Sequence, residues 1–438
     1  MKINQLEVRN FRGFEHQTFN FSDQFTVLIG ENATGKTAIL DALVIGAGSL
    51  IINFDGFHWG EVPGGRIQDN DIRQLRYKKS QAPSMQFQFP VEVYCKGVIA
   101  QQQITWKSHL EQIATAWSRK LTPEIQEIAE KLQTKVHDGE NVLLPLIAYY
   151  GAGRLWICKK QEQKTVEQPK TRMRGYIDCL NPRSNLILEW FRTEEISVLQ
   201  GQESVGIHQA VTAALSSCKI ENWQSINYDE QENTELVTDA DGRTMPFQML
   251  SDGVRNMVGM VADIAYRAAV LNPQLEIEAA KQTPGIVLID EIDLHLHPKW
   301  QRRVVEDLKA TFPAIQFVAT THSPFIVQSL RDGELINLDQ LEEPEEYHNK
   351  SIEDIAENAM GVEMPQKSER YLEMMEAAEE YYRVMQEAKE ASPERLEELK
   401  ARLDELTIPY SDDPAYQAFL KMEREAAGIG SGEKNETD

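Results

Sequence analysis

Cysteine is scarce in this chain of 438 residues, and long apolar runs are absent. The four cysteines lie far apart without a CxxC pair, which excludes a disulfide framework and a cysteine-rich zinc site: Cys95, Cys158, Cys179 and Cys218. No stretch approaches the roughly 18 apolar residues that span a membrane. The first residues, MKINQLEVRNF, lack the charged-then-apolar pattern of an export signal. We therefore expect a cytoplasmic protein with no membrane contact.

Positive charge is also in deficit. The chain has 45 Lys and Arg against 69 Asp and Glu, a net charge of −24. This excludes a protein that covers nucleic acid with its whole surface, so a nucleic-acid contact has to be a local patch. Hydrophobic residues make up 41%, enough for a packed core in two or three domains of roughly 100–200 residues each.

The acidity is concentrated at the C-terminal end. Residues 341–438 contain 27 acidic and 11 basic side chains, a net charge of −16, which leaves −8 for residues 1–340. We expect an acidic helical region over 341–428 and a disordered tail over 429–438. One helix is predicted around Leu372–Met385, and a second begins at Ser392 and Pro393. The second helix has a leucine stripe: Leu396, Leu399, Leu403 and Leu406.

One stretch has the opposite charge. Residues 154–174 contain seven basic and two acidic side chains. Two interpretations stay open: a solvated loop, or a contact with a polyanion in which Trp156 stacks on a base.

The motif GxxxxGK[ST] follows an apolar, β-rich run at Phe25–Gly30 and precedes a helical run. Glycines let the backbone N–H groups wrap a phosphate, and the helix N-terminus adds its dipole. Lys36 is expected to reach the phosphates, and the Thr37 hydroxyl to hold Mg²⁺. The predicted nucleotide-binding residues of the loop are Gly30, Glu31, Asn32, Ala33, Thr34, Gly35, Lys36 and Thr37. A glycine-rich turn that binds nothing is the alternative.

A second apolar run, Gly285–Glu291, reads as a buried parallel strand that ends in two carboxylates. Asp290 is predicted to complete the Mg²⁺ site with Thr37. Glu291 is placed to orient or deprotonate the attacking water. The alternative is a solvated strand end without chemistry.

Two weaker signals lie nearby in the sequence. Ser251 and Gly253 stand at a predicted helix start, where an anion could bind, although an ordinary serine N-cap explains them equally well. His322 ends another core strand, Gln316–Thr321, where its ring could hydrogen-bond a γ-phosphate. A capping histidine is the usual default.

The order of these motifs resembles the ABC-type ATPase heads of the RecF/SMC-like branch, whose N-terminal motif is similar to Asn10–Phe14. The resemblance implies an α/β fold: an ABC-type P-loop ATPase head over residues 1–340, with a helical insertion at about 154–217 and the C-terminal helical extension. It also implies ATP and Mg²⁺ as cofactors, Arg12 near the nucleotide, and His322 as the switch histidine. Ser251 and Gly253 would form the signature that acts on ATP held by a second subunit.

Departures from that pattern narrow the family. Asp252 and Val254 replace the commoner Gly and Gln of the signature, and His297 occupies the usual D-loop Asp position. No Q-loop is evident, and Tyr149–Arg154 is our candidate for its place. Sustained heptads and a DxD-type nuclease pair are missing, which disfavours true SMC proteins and Toprim-bearing OLD proteins.

The chain looks most like the PtuA ATPase family of Septu-type antiphage defence, including retron-associated forms. That resemblance implies a homodimer or higher homo-oligomer and a separate HNH nuclease, PtuB, as partner. We therefore predict an ATPase whose ATP-dependent dimer closure controls a partner nuclease, with no nuclease site of its own. The alternatives are a stand-alone RecF-like DNA-repair ATPase and a nucleotide-dependent scaffold with little hydrolysis.

Overall fold

The computed structural model forms two compact units, residues 1–361 and 362–438. The boundary after residue 340, expected from the change in charge, falls inside the first unit. The structure describes residues 1–54, 57, 64–77, 84–112, 119–154, 171–182, 205–219, 223–229, 234–341, 347, 349–362, 369–389, 395, 398, 401–402, 404–405, 408, 418 and 420–422.

The described residues of the first unit contain both strands and helices. The strands are β1 (Lys2–Phe11), β2 (Phe14–Asn20), β3 (Phe25–Ile29), β4 (Gln74–Tyr77), β5 (Ser84–Phe87), β6 (Val91–Ile99), β7 (Gln102–Leu110), β8 (Arg119–Leu121), β9 (Leu146–Tyr150), β10 (Trp223–Asp229), β11 (Thr234–Asp239), β12 (Thr244–Pro246), β13 (Gly285–Ile289), β14 (Ile315–Thr320) and β15 (Leu335–Asn337). The helices are α1 (Lys36–Ile51), α2 (Pro123–His137), α3 (Val205–Cys218), α4 (Asp252–Leu271), α5 (Ala279–Gln282), α6 (Pro298–Gln301), α7 (Val304–Thr311), α8 (Pro324–Gln328) and α9 (Ile352–Asn358).

A five-stranded parallel sheet carries the predicted motifs. Its order is β15-β3-β14-β13-β9. Every residue of β3, β9, β13 and β14 is buried, as expected of parallel strands with both faces covered. The predicted α/β class and the predicted core strands are confirmed. The carboxyl ends of β3, β13 and β14 lie at one edge of the sheet, because neighbouring strands run in the same direction.

A second five-stranded sheet is antiparallel, in the order β2-β1-β6-β7-β8. Three further strands form the sheet β10-β11-β12, and β4 pairs with β5. The sequence analysis predicted none of these sheets. Their strands carry polar residues on exposed faces, so no apolar run marks them in the sequence; β2, for example, buries only Phe19 among seven residues.

Helix α1 lies between the two large sheets. It contacts β1, β6 and β7 of the antiparallel sheet and β13 and β14 of the parallel sheet. A Cβ at Gly46 would lie 2.4 Å from the Cys95 Sγ, so only glycine fits there. The Trp106 indole donates a hydrogen bond to the Gly46 carbonyl at 2.9 Å. The helix that begins at the phosphate loop is therefore fixed on both sides.

The expected helical insertion over 154–217 is described in two pieces, a short 3-10 helix at Arg172–Tyr176 and α3. Most of the basic stretch, with Trp156, lies outside the described residues. Arg172, which belongs to that stretch, donates to the Leu271 carbonyl at 3.3 Å and to the Gln274 side chain at 3.2 Å. This arginine therefore makes intramolecular contacts.

The C-terminal unit contains α10 (Glu369–Lys389), which covers the first helix predicted there. Arg402 forms an ion pair with Glu380 at 2.8 Å, and the Tyr381 hydroxyl donates to the Leu420 carbonyl at 3.4 Å. The leucine stripe and the tail at 429–438 lie outside the described residues. Across the part of the chain that the structure describes, no helix is long and apolar enough to cross a membrane.

Candidate functional site

The phosphate loop connects β3 to α1 in a conformation that depends on two glycines. Gly30 and Gly35 have φ values of 149° and 107°. A Cβ at Gly30 would lie 2.8 Å from the Thr34 hydroxyl, and a Cβ at Gly35 would lie 2.6 Å from the Phe14 ring. At these two glycines the loop therefore has no room for a side chain, as expected of a loop whose backbone wraps a phosphate.

Lys36 lies over this loop. Its Nζ donates hydrogen bonds to the carbonyls of Gly30 at 2.7 Å and Glu31 at 2.9 Å. Burial lowers the pKa of Lys36, and the nearby carboxylates of Asp339, Asp290 and Glu291 oppose that shift. Contact of this ammonium with phosphate oxygens stays a prediction, in which charged hydrogen bonds would replace the two carbonyl contacts.

The two carboxylates follow β13 directly and are tied to the end of β14. The Thr320 hydroxyl donates to the Asp290 Oδ1 at 2.7 Å and accepts from the Glu291 backbone N–H at 2.7 Å. Glu291 has φ 51°, in the left-handed region that few non-glycine residues occupy. The sequence analysis missed Thr320, because a threonine in an apolar run reads as an ordinary strand residue.

These groups surround one pocket of about 210 Å³. Its lining brings together most of the predicted site: Asn32, Ala33, Gly35, Lys36, Thr37, Asp290, Glu291 and His322. Ala38 and Thr320 complete the lining and were not predicted. Gly30, Glu31 and Thr34 shape the loop beneath it, and the Thr34 hydroxyl donates to the Glu31 carbonyl at 2.9 Å.

The donor set fits Mg²⁺. Thr37 offers a hydroxyl that has no hydrogen-bond partner among the described residues, and Asp290 offers a carboxylate on the same pocket. Magnesium prefers oxygen ligands and commonly keeps one or two protein ligands together with substrate phosphates. Thr37 and Asp290 both line the pocket, and their holding Mg²⁺ stays a prediction.

Arg154 lies beneath the acidic pair, close to where we had placed a Q-loop. Its guanidinium donates to the carbonyls of Asp290 at 2.5 Å, Glu291 at 2.7 Å and Gly151 at 3.0 Å. Burial lowers the pKa of Arg154 to about 10, against the opposing effect of Asp290 and Glu291. The side chain remains a cation at neutral pH.

Arg12 does not line the pocket. It forms ion pairs with Asp41 of α1 at 2.5 Å and with Asp71 at 2.9 Å. Burial lowers the pKa of Arg12, but the two carboxylates outweigh it and raise the pKa overall. In the same N-terminal motif, the Phe14 ring packs against Gly35. This motif therefore supports the phosphate loop from outside, and direct contact of Arg12 with a nucleotide stays a prediction.

Ser251 and Gly253 also lie outside the residues that line the pocket. Ser251 is the exposed N-cap residue of α4, and its side chain makes no capping hydrogen bond. Gly253 is buried, and a Cβ there would lie 2.3 Å from the His295 carbonyl oxygen. The start of α4 thus packs on the loop that follows the acidic pair, with Ser251 facing outward.

Asp339 is a further residue that the sequence analysis missed. Its Oδ2 accepts a hydrogen bond from the Glu31 backbone N–H at 2.8 Å. Its own backbone N–H donates to the Asn337 side chain at 3.0 Å, and that side chain donates to the Ala359 carbonyl at 3.2 Å. The phosphate loop is therefore hydrogen-bonded through Asp339 to the end of α9.

Comparison with known proteins points to one family. Residues 5–236 match the family model described as an AAA domain. The chain is 26% identical over 398 residues to "Retron Vc95 probable ATPase" of Vibrio cholerae serotype O1 biovar El Tor, an alignment that covers 78% of this chain and 74% of that protein. It is 25% identical to "Septu protein PtuA" of Bacillus mycoides strain KBAB4, over 80% of this chain and 42% of that protein.

Among solved structures, the head of an SMC protein bound to the C-terminal winged-helix domain of ScpA aligns with a TM-score of 0.44. It is 18% identical and covers 76% of this chain and 95% of that one.

Proposed function

Because this chain belongs to the AAA domain family, we propose that it binds ATP with Mg²⁺ in the pocket described above and hydrolyses it. One observation supports this most strongly. The phosphate loop, the two carboxylates after β13 and the histidine after β14 meet in a single pocket, although the loop lies more than 200 residues before the other groups in the sequence.

Each pocket residue has a role that its position supports. Lys36 binds the phosphates, and the loop amides cradle them. Thr37 and Asp290 hold Mg²⁺, which neutralises charge on the phosphate oxygens. Glu291 takes the proton of the attacking water, and His322 hydrogen-bonds the terminal phosphate. Thr320 keeps Asp290 and the Glu291 backbone in place through its two hydrogen bonds.

The proposed working form is a homodimer. The exposed Ser251 faces away from its own packing, and its hydroxyl is available to a phosphate bound by a second subunit. In this arrangement ATP contacts both subunits only when they are closed, so nucleotide shifts the closed and open populations. Two-fold symmetry then gives two equivalent ATP sites.

We propose further that closure controls a partner nuclease of the HNH type in an antiphage defence complex. The support is the likeness to a retron ATPase and to a Septu protein PtuA. The C-terminal region, with its net charge of −16, suits a basic partner such as a nuclease that grips DNA. The intact Glu291 favours a hydrolysing enzyme over a scaffold with little hydrolysis.

The first experiment replaces Glu291 by Gln. This change keeps the shape of the side chain and removes the base, so steady-state hydrolysis is expected to fall about 100- to 10,000-fold while ATP binding persists. Glu278→Gln, a surface carboxylate outside the pocket, is the control and should hydrolyse normally. Normal turnover by Glu291→Gln would remove this residue from the mechanism, and an inactive wild type would support the scaffold.

The second experiment tests the shared site. Ser251→Arg should leave ATP binding by each subunit unchanged but prevent closure, with about 100-fold slower hydrolysis, because a bulky cation replaces the donor to the other subunit's phosphate. Mixing it with Lys36→Ala should restore at most one working site per dimer. Light scattering with ATP measures closure directly. Loss of ATP binding in the Ser251→Arg protein alone would contradict action across the dimer.

A further inference from the structure

We propose that Arg154 is a positioning residue for Glu291, acting through the backbone of the Asp290–Glu291 turn. This inference rests on the proposed hydrolysis and gives a role to Arg154, which the sequence analysis named only as the last residue of the Q-loop candidate. Arg154 is not among the described residues that line the pocket. Its effect on the reaction passes through the peptide that carries the base.

The first argument is the cost of placing Arg154 where it is. Its residue is only 4% exposed, and it forms no ion pair with any of the residues that the structure describes. Its Nε is buried without a hydrogen-bond partner in that same set. A buried cation that forms no ion pair and is hydrogen-bonded only to carbonyl oxygens is costly to desolvate, even with the carboxylates of Asp290, Glu291 and Asp293 nearby. Its presence therefore calls for a role other than packing.

The second argument is what the guanidinium holds. Two of its donors reach consecutive carbonyls, those of Asp290 and Glu291. Glu291 has the left-handed φ of 51°, which costs a non-glycine residue free energy and persists only where neighbouring groups enforce it. Arg154 binds the carbonyl of this residue, and Thr320 binds its N–H. The strained residue is thus held at both of its backbone groups.

The third argument is how Arg154 itself is anchored. It follows β9, the strand beside β13, and the Asp290 N–H donates to the Tyr150 carbonyl at 2.8 Å. The intervening turn is fixed by Gly151, where a Cβ would lie 2.5 Å from the Pro182 Cβ. The arginine is therefore presented from a neighbouring strand end that cannot shift independently of the acidic turn.

The test is the hydrolysis rate of Arg154→Met in the full-length protein. Methionine fills the buried space without donors, so the turn loses both carbonyl contacts. We expect kcat to fall about 100-fold, the loss that follows a displacement of roughly 1 Å at a reacting group. The dissociation constant for ATP should stay within about twofold of the wild type, because the phosphate loop is untouched. Arg154→Lys should recover part of the rate, since an ammonium can still donate to one of the two carbonyls.

Arg172→Met is the matched control. Arg172 is also partly buried and donates to carbonyl and amide oxygens, but these belong to residues outside the pocket. Its loss should leave kcat unchanged. A double variant separates positioning from general damage: in the Glu291→Gln background, Arg154→Met should cause no further loss of rate, because the group that it positions is already gone.

Three results would overturn the inference: wild-type kcat in Arg154→Met, a parallel loss of ATP affinity, or an additive loss in the double variant. If Arg154→Met does not fold, Arg154→Lys carries the test with an expected loss of about 10-fold, half of the former loss on a logarithmic scale because one contact of two remains. An active wild type with an equally active Arg154→Lys then contradicts only this inference, whereas an inactive wild type contradicts the proposed function and the inference together.

Discussion

The two large sheets both pack on helix α1, but they differ in strand direction, in burial and in what they contribute to the pocket. The parallel sheet is buried on both faces, and its strand ends carry the phosphate loop, the carboxylates and His322. The antiparallel sheet contributes no residue to the pocket lining. It holds α1 from the other side through Cys95 and Trp106. The parallel sheet thus carries the predicted site residues, and the antiparallel sheet packs on the other side of the helix that the two sheets share.

This division teaches that the same helix can be perturbed in two separable ways. A change at its first residue, Lys36, is expected to alter nucleotide binding, because that residue lines the pocket. A change at its middle alters stability, because the helix there is enclosed by protein on all sides. The following predictions test whether the two effects are as independent as this comparison implies.

The largest effect is expected from Lys36→Ala at the start of α1. Loss of a charged donor to phosphate should raise the dissociation constant for ATP about 100-fold, which corresponds to roughly 2.7 kcal/mol. The melting temperature without nucleotide should change little, because among the described residues the Lys36 Nζ hydrogen-bonds two loop carbonyls, one part-buried and one exposed. Titration with a fluorescent ATP analogue and thermal unfolding measure both quantities. Lys281→Ala, a surface lysine, should alter neither of them.

A smaller effect is expected from Gly46→Ala in the middle of α1. This change should lower stability and leave ATP affinity unchanged, the reverse of what is expected for Lys36→Ala. The added methyl would overlap the Cys95 Sγ, so the free energy of unfolding should fall by about 1–3 kcal/mol. Chemical denaturation measures this, and ATP affinity of the folded fraction should be unchanged. Gly206→Ala in α3 is the matched control: a Cβ there meets nothing within 4 Å, so helix propensity should make it neutral or stabilising.

A double variant sharpens that prediction. Adding Cys95→Ala to Gly46→Ala removes the atom that the new methyl would strike, so much of the lost stability should return. If the double variant is as unstable as the sum of the two single variants, the Gly46–Cys95 contact is not the source of the loss.

The smallest effect is expected from Trp106→Phe. The change removes one neutral hydrogen bond, from the indole to the Gly46 carbonyl, and should cost about 1 kcal/mol of unfolding free energy. Hydrolysis should stay at the wild-type rate. A marked loss of kcat would mean that the antiparallel sheet influences the pocket through α1, and the two sheets would then not be separable.

Sequence reasoning located the parallel sheet because its signals are strong and local. A buried parallel strand needs an uninterrupted apolar run, and a phosphate loop needs glycines at fixed places, so Phe25–Thr37 and Gly285–Glu291 are readable from the chain alone. Strands of the antiparallel sheet alternate or face water, and the pairing of β1 with β6 joins segments about 90 residues apart. A pairing between such distant segments cannot be predicted from a local sequence pattern.

Within the site, sequence reasoning predicted most of the residues that line the pocket and missed two residues that hold them in place by hydrogen bonds. Thr320 and Asp339 act through hydrogen bonds to residues that are remote in the sequence, Asp290 and Glu31. Their side chains are ordinary for a strand end and a loop. The pair Thr320–Thr321 just before His322 was the available signal, because two adjacent hydroxyls at the end of an apolar strand have no packing reason to be there.

The close approach of Gly253 to the His295 carbonyl bears on the proposed response to ATP. A Cβ at Gly253 would lie 2.3 Å from the His295 carbonyl oxygen, so the start of α4 and the loop after the carboxylates are in close backbone contact. In the proposed dimer, we therefore expect a displacement of the carboxylates to reach Ser251, and a contact of Ser251 with the second subunit to reach the carboxylates. We expect the positions of Ser251 and of the carboxylates to change together rather than one at a time.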